Sequence, residues 1–279
     1  MFTLHNGDCL QVMPTIPSGS IDAIITDLPY GTTACKWDTI IPFEPMWKEV
    51  KRVLKQNGAF ITTASQPFTS ALIMSNPSWF KYEWIWDKEI PGNPMLAKVQ
   101  PLKTHENIVV FCEGSPTYNP QMMKSKRRVT QTAKSKMWNL PAGVEVVREA
   151  YFPRTIIEFS NADKTGVEHQ TQKPLALYEY IIRTYTNEGE TILDIAMGSG
   201  VTIEAAIKTG RVSIGIEKEK EFFDMAERKA QLAVLSPELF TPSNNRLHMD
   251  AGDSPRQPSQ STLEGFTPAE QGTTPAPRQ

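Results

Sequence analysis

The sequence predicts an α/β fold, a parallel or mixed sheet with helices on both faces. Two observations carry this. Short apolar runs too brief for helices alternate with segments of helical periodicity, and tight glycine turns separate several of them, a spacing typical of strands joined by crossover helices. At 279 residues with 39% apolar content, the chain is long enough for one large domain carrying an insertion.

In chain order, Ile21–Thr26 reads as a buried strand. Met46, Val50, Val53 and Leu54 fall on one helical face, and Gly58 is expected to stop that helix. Ala59–Thr63 follows as a strand and Pro67–Met74 as a helix. Tyr82–Trp86 alternates as a strand, and Ile108–Phe111 is a short buried one. From about 91 to 168 the chain is rich in Pro, Lys and Arg with little periodicity, which predicts an insertion on the sheet rim. Regularity then returns. Leu177, Ile181, Ile182 and Tyr185 share a helix face with Gly189 past its end, and Thr191–Ile195 is a strand. Val201–Lys208 is a helix closed by Gly210, Val212–Ile216 a strand, and Glu219–Val234 a helix. The body is therefore 1–235. Residues 236–279 are dominated by Pro, Ser, Thr, Gln and Gly and are expected to be a disordered tail, because they cannot bury enough apolar surface to offset ordering entropy.

The net charge of −2 carries no global nucleic-acid signature. Its distribution is uneven: Lys98–Arg154 holds ten Lys and Arg against four Asp and Glu, a local +6 that leaves −8 elsewhere. A basic middle on an acidic body suggests a local anionic partner, although a solvated loop region has the same composition. The three cysteines, Cys9, Cys35 and Cys112, are far apart and lack zinc spacing, so no metal is expected. Reduced thiols, the absence of an 18-residue apolar run and a start unlike a leader predict a soluble cytoplasmic protein with no membrane association.

Two segments carry chemistry. The first is Asp27-Leu28-Pro29-Tyr30, at the end of the Ile21 strand, where open α/β sheets place their sites. A carboxylate beside a carbonyl accepts both hydrogens of an exocyclic amino group, and a tyrosine stacks on the flat ring bearing it. The second is Asp194-Ile195-Ala196-Met197-Gly198-Ser199-Gly200, a strand–turn–helix junction whose glycines allow close backbone approach to a ligand. Alone it is equally a structural turn. The next strand ends at Glu217, 23 residues beyond Asp194, where an acid binds ribose hydroxyls. Its alternative role is a helix N-terminal charge. Together the two segments favour a nucleoside cofactor. Ile203 stands where a dinucleotide fingerprint has its third glycine, which disfavours nicotinamide and favours S-adenosylmethionine.

These residues resemble the β class of DNA amino-methyltransferases, which methylate adenine N6 or cytosine N4. Asp27–Tyr30 is similar to the family's Asp-Pro-Pro-Tyr motif, and Asp194–Gly200 to its Asp-Pro-Phe-x-Gly-Ser-Gly cofactor motif. His169–Pro174 is similar to His-Pro-Thr-Gln-Lys-Pro, and Gly7-Asp8-Cys9-Leu10 to the segment that helps hold the cofactor's adenine. The order, catalytic motif before cofactor motif with an insert between, is that of the β class, and the resemblance spans about Leu4 to Leu232. It implies the S-adenosylmethionine-dependent methyltransferase (Rossmann-like) fold, with 91–168 as the target-recognition insert. Asp27, Leu28, Pro29 and Tyr30 become the catalytic group. Asp8, Cys9, Asp27, Lys173, Asp194, Ala196, Met197, Gly198, Ser199, Gly200, Glu217 and Lys218 become the cofactor set.

The chain departs from the family at four places. Leu28 replaces a proline but keeps the carbonyl, Ile195-Ala196 replaces Pro-Phe and so loses an aromatic wall, Val201 replaces a threonine, and Gln170 replaces a proline. The resemblance makes DNA the partner, with phosphate contacts from Lys124, Lys126, Arg127, Arg128, Lys134 and Lys136. Trp37 is a candidate base-pocket wall or a core residue. Asn119, Gln121 and Gln131 are candidate base-edge readers or ordinary surface amides. His105 and His169 read as structural hydrogen-bonding residues.

The Asp form of the catalytic motif leans to adenine N6. N4-cytosine methylation, an RNA or protein-amide substrate, and a DNA-binding module with a decayed cofactor site stay open. So do homodimerisation, a cognate restriction endonuclease, and a bacterial or phage source.

Overall fold

The structure is a computed structural model. It describes residues 1–33, 35, 38–131, 145–161 and 173–235, with only the backbone described for 124–131 and 145–149. The elements run β1 (Phe2–Asn6), α1 (Cys9–Val12), β2 (Ile21–Asp27), α2 (Phe43–Val53), β3 (Leu54–Ala64), α3 (Phe68–Ser75), β4 (Phe80–Asp87), β5 (His105–Phe111), β6 (Met123–Gln131), β7 (Glu145–Tyr151), β8 (Ile156–Glu158), α4 (Leu175–Tyr185), β9 (Thr191–Asp194), α5 (Val201–Lys208), β10 (Val212–Glu217) and α6 (Lys220–Leu235).

Eight strands form one sheet in the order β1-β10-β9-β2-β3-β5-β4-β8. The first five are mutually parallel, β5 is antiparallel to both β3 and β4, and β8 is parallel to β4. β2 lies at the centre, and its near-continuous apolar run fits burial on both faces: Ile21, Ala23, Ile24 and Ile25 are all buried. From β9 the chain moves outward through α5 to β10. From β2 it moves the opposite way through α2 to β3. Right-handed crossovers in opposite directions place these helices on opposite faces. The carboxyl ends of β2 and β9 therefore flank a switch point, where such sheets leave a crevice.

On the α2 face, Met46, Trp47, Val50 and Val53 form a helical stripe that packs against Phe60, Leu72 and Phe111. On the other face, α4 packs on α5 and α5 on α6, with Ile203, Ala226 and Ala230 buried beside Met197.

The mixed sheet with helices on both faces agrees with the sequence expectation, and differences are local. Gly58 does not end α2. The helix ends at Val53 with Leu54 already extended, and Gly58 lies within β3. A Cβ there would come within 3.0 Å of the Asp22 and Lys55 carbonyls, so glycine serves a close approach of β3 to β2. The expected 91–168 insertion is not uniform: β5 is integral to the main sheet and β8 forms its edge, while β6 and β7 make a separate antiparallel pair. The edge strand β1 was not foreseen. The tail 236–279 lies outside the described residues. Among the described residues no helix is long and apolar enough to cross a membrane, and no cluster of His, Cys, Asp or Glu is arranged for a metal.

Candidate active site

A cavity of about 600 Å³ opens at the switch point, within the size range of small-ligand sites. Asp27 and Tyr30 line one side. Asp194, Met197, Gly198 and Glu217 line another, so the two chemistry-bearing segments share one crevice although 167 residues separate Asp27 from Asp194.

The Asp27 carboxylate is heavily engaged. Its Oδ1 accepts from the Tyr30 hydroxyl at 2.9 Å and from the Thr63 hydroxyl, and its Oδ2 accepts from Lys173 Nζ at 2.6 Å. Parallel pairing of β2 and β3 sets Thr63 opposite Asp27. Leu28 is buried, and the Tyr30 ring stacks on Phe68 at 5.3 Å and 28°. The loop after Tyr30 closes on Asp38. Asp38 Oδ1 accepts Gly31 N–H at 2.8 Å, and Oδ2 accepts Thr32 and Thr33 N–H at 2.9 and 2.7 Å. Burial opposes this charge, but the three N–H groups, with the Thr33 hydroxyl, hold the carboxyl below its ordinary value.

Lys173 is also 3.6 Å from Glu106 Oε2, and Lys88 Nζ is 3.0 Å from Glu106 Oε1. Charges therefore alternate in a chain from Asp27 through Lys173 and Glu106 to Lys88. Burial would lower the Lys173 ammonium pKa, yet Asp27 and Glu106 hold it above the ordinary range.

On the β9 side, Asp194 is buried. It accepts from Thr26 Oγ1 at 2.7 Å and Ala196 N–H at 3.1 Å, and Thr202 also hydrogen-bonds to it. Burial pushes its carboxyl up to about 6 against these bonds. Glu217 accepts Gly198 N–H and Glu219 N–H, both at 2.8 Å, one on each oxygen. Burial raises its pKa as well. The Lys218 N–H also hydrogen-bonds to this carboxylate, which with about four acceptor sites still has capacity for a further donor. Gly198 has φ +53° and open space where a Cβ would be, which leaves its backbone accessible from the cavity. Gly200 is placed differently. It does not line the cavity, and its missing Cβ makes room for Ala226, which would lie 2.7 Å away.

Asp8 caps α1 through the Leu10 N–H at 2.9 Å while lining the cavity beside Cys9, whose thiol burial pushes up to about 12. Ile195, Ala196, Ser199 and Lys218 also line it, with Ile195 packed into the core as well.

Of the expected partner contacts, Lys124, Lys126, Arg127 and Arg128 fall on β6, a charged strand of the β6–β7 pair. Trp37, Lys134, Lys136, Gln170 and His169 lie outside the described residues. Asn119 is not free to read bases: its amide donates to the Arg183 and Thr186 carbonyls, stapling the chain to the end of α4. Gln121 donates to Asn119 O, and exposed His105 begins β5. Thr63, Asp38, Lys88, Glu106 and Phe222 were not singled out from sequence. Polar Thr62-Thr63 in the apolar second half of β3 was the available signal, whereas Glu106 sits in the polar His105-Glu106-Asn107 start of β5 and carries none.

The DNA methylase family of N6/N4 methyltransferases matches residues 21–228. The chain is 28% identical over 258 residues to the type II methyltransferase M.HinfI of Haemophilus influenzae, covering 81% of this chain and 67% of that one. It is 27% identical over 239 residues to M.HpaI of Haemophilus parainfluenzae, covering 80% and 72%. Among solved structures, the M1.HpyAVI–SAM complex is similar with a TM-score of 0.58 at 24% identity, covering 82% of this chain and all of that one. The cytosine-N4-specific PvuII DNA methyltransferase has a TM-score of 0.60 at 15% identity, covering 82% and 87%. The family match runs from the first residue of β2 into α6 and so takes in both walls of the crevice; the chain belongs to the N6/N4 family of DNA methylases.

Proposed function

We propose that this protein transfers a methyl group from S-adenosylmethionine to the N6 amino group of adenine in DNA. The observation that carries the reading is the shared crevice: an Asp-x-Pro-Tyr carboxylate at the end of β2 faces the same cavity as a glycine turn and a strand-end glutamate at β9 and β10. The residues fit the cofactor. Glu217 keeps acceptor capacity for ribose hydroxyls, the Gly198 backbone is open toward the cavity, and Phe222 lines it on the Glu217 side. That ring offers an apolar wall in a chain whose motif has Ala196 in place of the family's phenylalanine. When bound, the cofactor supplies an electrophilic methyl group on a sulfonium.

The protein's part is orientation. The lone pair of an aromatic amine is delocalised into its ring. Asp27 and the Leu28 carbonyl accept the two amino hydrogens, which favours a pyramidal nitrogen aimed at the methyl group. Pro29 biases residue 28 toward an extended conformation and so helps fix that carbonyl. Tyr30 stacks on the base. A base inside a duplex is out of reach, so the target is flipped into the crevice at a cost of a few kcal/mol. The β6 cations, with Lys134 and Lys136, contact phosphates and steady the duplex. The Asp form of the motif supports adenine as the target.

The test is nucleoside mass spectrometry after incubating the purified protein with S-adenosylmethionine and unmethylated DNA, beside Asp27→Ala. N6-methyladenine made only by the unmutated protein is expected. N4-methylcytosine would overturn the base assignment, and equal activity of Asp27→Ala would overturn the mechanism.

A further inference from the structure

The catalytic carboxylate and its tyrosine are already occupied. Lys173 Nζ caps Asp27 Oδ2 at 2.6 Å. The same ammonium lies over the Tyr30 ring, 5.8 Å from its centroid, while Phe68 stacks on that ring. An ammonium so placed sits where a flat base stacked on Tyr30, with its amino group at Asp27, would go. It must therefore shift as the base arrives, and removing a cation whose side chain is only 12% exposed from its counterion without a second partner is costly.

The second partner is present. Glu106 Oε2 is buried and has no hydrogen-bond partner among the described residues, although it lies 3.6 Å from the same Nζ. Glu106 Oε1 is meanwhile anchored by Lys88, itself buried, at 3.0 Å. Glu106 is thus a fixed carboxylate with one oxygen hydrogen-bonded and the other paired only loosely, at 3.6 Å, with a lysine that has somewhere to go. A shift of Lys173 onto Oε2 satisfies that oxygen and buries no new charge.

We infer that Lys173 holds the place of the target base in the free enzyme and passes from Asp27 to Glu106 when the base enters, making Glu106 a positioning residue for methyl transfer. The inference rests on the assignment of Asp27 and Tyr30 to the base amino group and ring. No proton moves in the exchange, since Lys173 stays an ammonium on either partner.

A double-mutant cycle tests it, using the full chain, tritiated S-adenosylmethionine and unmethylated DNA under single-turnover conditions. Glu106→Gln leaves Lys173 with Asp27 alone, so the transfer rate is expected to fall about ten- to hundredfold. Cofactor affinity, read by the thermal shift that S-adenosylmethionine produces, stays within about twofold and reports folding. The distinguishing result is the double variant Glu106→Gln/Lys173→Gln. With no ammonium to displace, it is expected to be faster than Glu106→Gln alone. A merely structural Glu106 would give losses that add, with the double variant slowest, and that outcome overturns the inference. If Glu106→Gln does not fold, Glu106→Asp keeps the charge for Lys88 while withdrawing the loosely paired oxygen by one methylene. It should show the same relief by Lys173→Gln, and additive losses there overturn the inference equally. Failure of the underlying reading is separable, because an unmutated enzyme that transfers no methyl group, or an Asp27→Ala variant with full activity, refutes the assignment of Asp27 whatever the cycle shows.

Discussion

Asp38→Ala is the substitution whose consequences are most fully determined by the geometry. It deletes the acceptor of three backbone N–H groups, from Gly31, Thr32 and Thr33, at 2.7–2.9 Å. A hydrogen bond to a charged group contributes about 1.5–3 kcal/mol when buried. Here the carboxylate is buried but the donors sit on an exposed loop, where water replaces part of the loss. About 1 kcal/mol each, and so about 3 kcal/mol in all, is expected by urea denaturation. Asp38→Asn should not rescue, because its NH2 group would face at least one of these N–H donors.

The pH dependence follows from the lowered carboxyl. Its stabilisation is fully present above the ordinary value of 3.8 and is lost as pH falls through the lower folded value, so the wild-type advantage over Asp38→Ala should close in that acid range. Because the clasp begins immediately after Tyr30, the variant should also lose methyl transfer by about tenfold or more through misorientation, with a smaller change in cofactor affinity. Unchanged stability together with an unchanged rate would refute the reasoning.

The two turn glycines should respond differently to alanine. Gly200→Ala combines φ +83° with a Cβ 2.7 Å from Ala226 and should cost about 2–4 kcal/mol in urea denaturation. Gly198→Ala meets open space at φ +53° and should cost nearer 1 kcal/mol, while weakening S-adenosylmethionine binding in a thermal-shift titration. Asp194 carries the opposite pH sign from Asp38. Its folded carboxyl, at about 6, lies above the unfolded 3.8, so the unfolded chain ionises first and folding stability from this group falls as pH rises from about 4 to 6, levelling beyond. Relative to Asp194→Asn, wild type should lose up to about 3 kcal/mol across that window in melts at stepped pH.

Much of the molecule is legible in the chain because its signals are local. The β2 run, the α2, α4 and α6 stripes and the 198–200 turn each announce themselves within one element, since side-chain periodicity and glycine conformation are properties of short segments. β1 escaped notice as a five-residue edge strand with no fully buried residue, and β6 because its charged residues mask strand character. Gly58 misled because a glycine after a helical stripe looks the same whether it caps the helix or lets a neighbouring strand approach.

By itself the sequence determined the α/β class and marked Asp27–Tyr30 and the 194–200 turn as the two chemistry-bearing segments. Only the tertiary structure decided who touches Asp27. Thr63 arrives through the β2–β3 register, Glu106 through antiparallel β5, and Lys173 from beyond the insertion. Carboxylates and ammoniums that neutralise one another across a sheet leave no periodic trace in sequence, because Coulomb contact depends on strand order and register rather than on spacing along the chain.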